Sequence, residues 1–189
     1  IYNKMITIKT LQTKEFFRPE IESFLNDSEK KLNAEQKLPD DFYEKRKIGE
    51  NDDYISELIR KDLIEEFIIF VKKNDFNLNS FIKPSIYETN TFLVAITREP
   101  TLIEYAAFFG SAQIFNFLHK NDANYDSVLW IFAIHSDNPE IINFLEEKNI
   151  QPFDISYEDC LSEAVKCHHN DIAKYIINNF LDQNVESIN

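Results

Sequence analysis

The chain has 189 residues, of which 43% are hydrophobic and 28% are charged, and its net charge at pH 7 is −13. This composition is typical of a folded soluble protein, and two glycines are too few for most barrels, sandwiches and phosphate-binding loops. The acidic charge makes nucleic acid and anionic membranes poor partners. No segment approaches the roughly 20 apolar residues that span a bilayer.

The first 50 residues predict a helical N-terminal extension that contains no repeat. They carry ten basic and ten acidic side chains, so the negative charge lies in residues 51–189. Pro19 is expected near the start of a helix, because proline suits the first helical turn. Residues 45–50 are expected to form a linker with little structure. Lysines interrupt the start of the chain before any secretory signal forms, at Lys4, Lys9 and Lys14.

From residue 51 onward the apolar residues recur at helical spacing. A first helix is predicted over residues 53–61 and a second, more apolar helix over residues 63–73. Between them, Asp62 is expected to be the N-cap of the second helix, with Glu65 three residues later completing a capping box. The predicted unit is therefore a helix, a tight turn and a second helix.

The same unit recurs three more times after a long insertion at residues 74–100. Its copies lie within residues 101–118, 129–145 and 160–176, and Ala106, Ala133 and Ala164 occupy equivalent places. Such small side chains let the first helices of neighbouring copies approach closely. One helix–turn–helix unit cannot bury its apolar face alone, so the copies are expected to stack. Degenerate repeats, about four units, are thus predicted to fill residues 51–189.

The segment Thr101-Leu102-Ile103-Glu104-Tyr105-Ala106-Ala107 resembles the opening of an ankyrin repeat, T-P-L-H-x-A. Ankyrin repeats place a glycine in the turn between their two helices, where φ is positive. Gly110 keeps that glycine, whereas Asp137 and His168, which tolerate positive φ comparatively well, take its place in later copies. On residues 100–110 and 166–173, the chain is also similar to protist ankyrin-repeat proteins with an N-terminal helical domain of unknown function. The resemblance implies an all-α, ankyrin-like solenoid.

The resemblance also implies a protein-protein interaction module or scaffold that binds its partner on the concave repeat face. Exposed aromatic rings beside an acidic body would suit a partner protein with an apolar spot rimmed by Lys or Arg. For two of the rings, Phe108 and Phe109, packing beneath the long insertion is an equal alternative. The residues that the resemblance assigns to the face are Tyr87, Phe92, Thr97, Arg98, Pro100, Phe108, Phe109, His135, Ser136, Lys166 and Cys167.

The alternative function is an adaptor, in which the N-terminal segment recruits one machine and the repeats hold its substrate. The neutral charge of residues 1–50 distinguishes that segment from the acidic repeats. The two cysteines are expected to be reduced thiols of a cytoplasmic protein, with the nucleus as an alternative compartment.

No enzyme activity, cofactor or metal site is expected from the sequence. Cys160, Cys167, His168 and His169 lack the paired spacing that is typical of zinc ligands. Cys167 and His168 are sequence neighbours, and side chains at such positions do not face each other on a helix. A base for Cys167 from elsewhere in the fold stays open. None of the familiar nucleophile, metalloprotease or phosphate-binding motifs is present.

Overall fold

The computed structural model describes residues 13–22, 24, 38–96 and 98–181, and these are mostly helical. Within those residues the one pairing of extended backbone is a bridge between Phe81 and Thr101. The all-α prediction is therefore confirmed. The helices are α1 (Arg18–Glu22), α2 (Phe42–Ile48), α3 (Tyr54–Arg60), α4 (Ile64–Lys73), α5 (Thr91–Ala95), α6 (Leu102–Phe109), α7 (Ala112–Lys120), α8 (Leu129–Ser136), α9 (Pro139–Glu147), α10 (Glu158–Lys166) and α11 (Asn170–Ile176), followed by a π-helical segment, Ile177–Leu181.

The chain divides into two compact units. The first unit contains the described residues up to Glu57 together with Lys83–Glu99, and the second contains Leu58–Ile82 and the chain from Pro100 onward. This division differs from the predicted boundary after residue 50, because the second part of the predicted insertion belongs to the first unit. None of the described helices is both long and apolar enough to cross a membrane.

In the first unit, hydrogen bonds attach the end of α2 and the residues after it to the insertion. Gly49, which ends α2 with φ 73°, accepts hydrogen bonds from the backbone N–H and the hydroxyl of Thr89, at 3.0 and 2.8 Å. Asn51 donates its side-chain amide to the carbonyl of Lys83 at 2.7 Å. The prediction of a linker over residues 45–50 is wrong, since α2 continues to Ile48 and most of these residues are helical.

In the second unit, helices of successive copies pack against one another in chain order. We call α6, α8 and α10 the inner helices and α4, α7, α9 and α11 the outer helices. The inner helix α6 packs against α8, and α8 packs against α10, while each inner helix also contacts the outer helix that follows it. Ala106, Ala133 and Ala164 lie on these three inner helices and are all fully buried, which is consistent with a close approach.

A residue in the left-handed conformation separates the two helices of each copy. The backbone confirms that Asp137 and His168 take the place of Gly110, because φ is 52°, 62° and 68° at these three residues. In the first copy the residue is Asp62, with φ 50°. Such a residue lets the next N–H reach a carbonyl left without a partner at the helix end. Three of the four turns have this bond, from Leu63 to Leu58, from Ser111 to Ala106 and from His169 to Ala164.

The outer helices α4, α7 and α9 also end in a residue with left-handed backbone. Asp75, Asp122 and Asn149 have positive φ and follow the first turns by 12 or 13 residues. Each is followed by a residue whose N–H bonds a carbonyl five positions earlier, at 2.9 to 3.0 Å. The segment from turn to outer helix to turn is therefore constant, and the copies differ in the connection to the next inner helix.

Side chains beside the turns join each copy to the one before it. The residue that follows each left-handed turn of the last three copies donates a side-chain hydrogen bond to a backbone carbonyl of the preceding copy. These bonds run from Ser111 to Ile59, from Asn138 to Gly110 and from His169 to Ile134. The accepting groups lie at or near the carboxyl ends of inner helices, where carbonyls lack partners within the helix.

Asp62 also joins two copies, and this overturns its predicted role. Its carboxylate accepts the backbone N–H groups of Gln113 and Ile114, at 3.1 and 2.9 Å, in the first turn of α7. The N-cap of α4 is Leu63, which makes no side-chain bond, so the predicted capping box of Asp62 and Glu65 is wrong. Asp62 is unable to cap its own helix because its left-handed backbone forms the preceding turn.

A capping box is present instead at the start of α6. Glu104 Oε2 accepts the N–H of Thr101 at 2.8 Å, and the hydroxyl of Thr101 accepts the N–H of Glu104 at 3.4 Å. Glu104 is buried, so this pairing satisfies both orphan donors inside the protein. Glu104 therefore has a structural reason to stand where the ankyrin signature has histidine.

The core around the last two copies surrounds Trp130, the one tryptophan in the chain. It is fully buried in α8, and its indole Nε1 donates to the carbonyl of Ile150 at 2.6 Å. Its ring centroid lies 5.3 Å from that of Tyr157 and 6.1 Å from that of Phe180. The indole therefore packs against one residue that precedes α10 in the chain and one that follows it.

The turn geometry predicts opposite effects for two substitutions. We expect Gly110→Ala to lower the free energy of unfolding by roughly 1–2 kcal/mol, because an L-residue in the left-handed region costs about that much. Its Cβ would also lie 3.3 Å from Ser136 Cβ. Asp137 is the equivalent residue of the next copy. Asp137→Gly removes the strain of its left-handed backbone and should raise the free energy of unfolding by up to about 1 kcal/mol. Urea unfolding followed by circular dichroism measures both, and a Gly110→Ala protein as stable as the wild type would contradict the turn assignment.

Candidate functional site

The carboxyl ends of the inner helices bring predicted binding residues of three copies into one row. Phe108 at the end of α6 packs against His135 near the end of α8, with ring centroids 4.8 Å apart. His135 Nδ1 in turn lies 3.4 Å from the Sγ of Cys167, which follows α10. Residues 27 and 32 positions apart in sequence are therefore in contact. We call this set, with the neighbours Phe109, Ser136 and Lys166, the inner-helix row.

Within the row, His135 and Cys167 meet a carboxylate that was not predicted from the sequence. Glu163 Oε1 lies 3.0 Å from His135 Nε2, on the opposite side of the ring from the thiol. Donor atoms of Glu163, His135 and Cys167 lie within 4.8 Å of one another. The four-residue spacing of Glu163 and Cys167 is the one local signal for this cluster, since such residues share a helix face.

Burial dominates the electrostatics of the cluster. It lowers the pKa of His135 below its usual 6.5, against the attraction of the Glu163 carboxylate. It raises the pKa of the Cys167 thiol, and the negative charge of Glu163 acts in the same direction. At neutral pH the cluster therefore holds a neutral imidazole and a thiol. The ammonium of Lys166 lies 3.0 Å from the other carboxylate oxygen, Oε2.

Two of the predicted binding aromatics are buried. Phe108 is 6% exposed, and its ring contacts Phe109 and Phe132 as well as His135. Tyr87 is 4% exposed, with its ring centroid 5.7 Å from that of fully buried Phe42 in the first unit. The expectation of exposed rings at Phe108 and Tyr87 is wrong, because both complete cores. Phe108 is buried, and its ring contacts Phe109, Phe132 and His135 on α6 and α8, whereas packing beneath the insertion stays a prediction.

The remaining predicted residues divide between the two units. Phe92 and Arg98 are half-buried in the first unit, whereas Thr97 lies outside the described residues. In the second unit Pro100 is buried, and Lys166 is exposed. The half-buried members there are Phe109, His135, Ser136 and Cys167. The inner-helix row therefore brings together six of the predicted residues, and a binding role for each stays a prediction.

A scan against protein-family models finds no match for this chain, and comparisons with curated proteins and with solved structures give no match either. The ankyrin resemblance therefore rests on the residues of the chain and on the turn geometry described above.

The two adjacent phenylalanines should respond differently to truncation. We expect Phe108→Ala to lower the free energy of unfolding by roughly 3–5 kcal/mol, as for other buried aromatic side chains. Phe109→Ala should cost about 1–2 kcal/mol, because its ring is half-buried and loses less contact. Thermal and urea unfolding of both variants provide the measurement. Equal, small losses would contradict the placement of Phe108 in the core.

Proposed function

We propose that the chain is a protein-binding repeat module, in which the second unit forms an ankyrin-like solenoid and binds its partner along the inner-helix row. The observation that carries this proposal is the contiguity of the row, from Phe108 through His135 to Cys167. A stacked repeat that presents equivalent positions of successive copies on one side offers an extended surface, which is how solenoids bind other proteins.

The turn geometry supports the ankyrin-like part of the proposal. Left-handed residues stand in the place of the ankyrin glycine in every copy, at Asp62, Gly110, Asp137 and His168. Inner helices pack on inner helices in chain order, as the repeat architecture requires. The capping box of Thr101 also gives the threonine of the resemblance a physical role, because its hydroxyl begins the inner helix.

The chemistry of the row favours a protein partner over nucleic acid or an anionic membrane. Residues 51–189 carry the entire net charge of −13, so a phosphate-rich surface would be repelled. In the row, the positive charge of Lys166 is paired with Glu163. The half-buried side chains of Phe109, His135 and Ser136 then offer a partner an uncharged surface. An apolar spot rimmed by Lys or Arg would fit both the row and its acidic surroundings.

The adaptor remains the second candidate, and the first unit is the observation that favours it. That unit is compact in its own right and holds residues 83–99 through the bonds of Gly49 and Asn51. A separate compact unit on the same chain provides a second surface. An adaptor would use the first unit for one partner and the inner-helix row for another.

The experiment compares two double variants of the full chain as baits for quantitative affinity capture. Phe109→Ala with Lys166→Glu changes the inner-helix row, whereas Asn116→Ala with Lys120→Glu makes a matched change on the exposed side of the outer helix α7. We expect the row variant to lose, by at least about tenfold, proteins that wild type and the outer-helix variant both retain, since interface anchors are typically worth about 1–2 kcal/mol or more. Melting temperatures of both variants accompany the capture.

If the outer-helix variant loses the captured proteins and the row variant retains them, the partner binds the outer helices, which contradicts the proposal. The proposal is also contradicted if wild type enriches no protein over the row variant. A row variant that melts well below the outer-helix variant is replaced by Lys166→Glu alone, because Lys166 is exposed and its change leaves the core intact.

A further inference from the structure

We propose that His135, Glu163 and Cys167 form a binding site for a zinc ion at the carboxyl ends of two inner helices. The sequence favoured no metal site, because it offered only cysteines and histidines that are close together along the chain. The fold supplies a different ligand set, with the imidazole from α8 and the carboxylate and thiol from α10 and its end. His135 and Cys167 also belong to the inner-helix row, but this inference does not rest on the proposed function, since its test measures metal binding with no partner protein present.

The separation of the donor atoms fits the coordination shell of zinc. Zn–S and Zn–N bonds of about 2.3 and 2.0 Å place the two donors of a tetrahedral site roughly 3.5 Å apart. Cys167 Sγ and His135 Nδ1 are 3.4 Å apart. The Glu163 carboxylate belongs to the same cluster of donor atoms, which spans 4.8 Å. In this structure the Glu163 carboxylate lies beside Nε2, so binding an ion held by Sγ and Nδ1 requires its side chain to turn toward the thiol side of the ring.

The backbone and the neighbouring rings hold the ligands in place. The N–H of Cys167 bonds to the carbonyl of Glu163 at 2.9 Å, so helical geometry continues to Cys167 and keeps both side chains on one face. The His135 ring lies against Phe108 at a tilt of 32°, which limits its rotation. Ligands that are oriented before the metal arrives lose less entropy on binding.

The donor set selects zinc among the common divalent ions. Thiolate and imidazole are soft and borderline donors, whereas magnesium and calcium require several oxygen ligands. One sulfur, one nitrogen and one carboxylate oxygen supply three protein ligands and leave a fourth position for water or another side chain. Lys166 contacts the second carboxylate oxygen, Oε2, so Oε1 is the oxygen that would exchange its contact with His135 Nε2 for the ion.

The test uses cobalt as a spectroscopic substitute for zinc in the reduced, chelator-treated full chain. We expect one equivalent of Co²⁺ to produce the near-ultraviolet absorption of a thiolate–cobalt bond, and added Zn²⁺ to remove it by displacement. Cys167→Ala should abolish this absorption. Cys160→Ala, which removes the other thiol seven residues earlier, should preserve it, because Cys160 is fully buried and outside the cluster.

The remaining variants separate the proposed ligands from their sequence neighbours. His135→Ala and Glu163→Gln should each weaken zinc binding by at least about tenfold, as the loss of metal-supporting side chains usually does. His168→Asn, which keeps a residue suited to positive φ beside Cys167, should leave it unchanged. Circular dichroism of each variant confirms that helix content is retained. No thiolate absorption with wild type, or the same absorption with Cys167→Ala, would overturn the site.

Discussion

The hydrogen bonds between successive copies are the interaction on which the second unit depends. Carbonyls at or near the carboxyl ends of α3, α6 and α8 accept hydrogen bonds from the next copy, donated by Ser111, Asn138 and His169. A buried carbonyl left without such a donor costs about 1–3 kcal/mol, so a copy that stacked out of register would lose stability at every junction. The apolar faces of the helices provide most of the gain from stacking, while these directional bonds fix which residues meet.

This constraint explains why the inner-helix row and the irregular connections occupy different parts of a copy. The segment from turn to outer helix to second turn spans 12 or 13 residues in the first three copies, because it carries the junction bonds and the helix ends. Insertions and deletions fall away from these turn junctions, between an outer helix and the next inner helix. Phe108 and His135 precede their left-handed residues by two positions and Cys167 precedes its own by one, so the three lie near the same place in their copies although the connections differ.

The local part of this arrangement could be predicted from the sequence. The left-handed turns at Asp137 and His168 were predicted because few residue types tolerate positive φ and the apolar pattern marks the place. The pairing of Glu163 with His135 could not be predicted, because it depends on which helices become neighbours. The same limit applies to Asp62, whose sequence context suggests a cap for its own helix but whose carboxylate serves the next copy. Residues 83–99 read as an insertion into the repeats, since nothing in their own sequence shows that Gly49 and Asn51 hold them in the first unit.

The buried indole of Trp130 has a consequence for how the folding of this chain can be followed. It is the one tryptophan, and its ring touches residues on both sides of the last inner helix, so its fluorescence reports on the carboxyl-terminal copies alone. Circular dichroism averages over every helix of both units. Coincident unfolding transitions from the two signals mean that the chain melts as one cooperative system. A fluorescence transition at a lower temperature or denaturant concentration means that the last copies unfold before the rest of the chain. Such local unfolding is expected for stacked units that are coupled only to their neighbours.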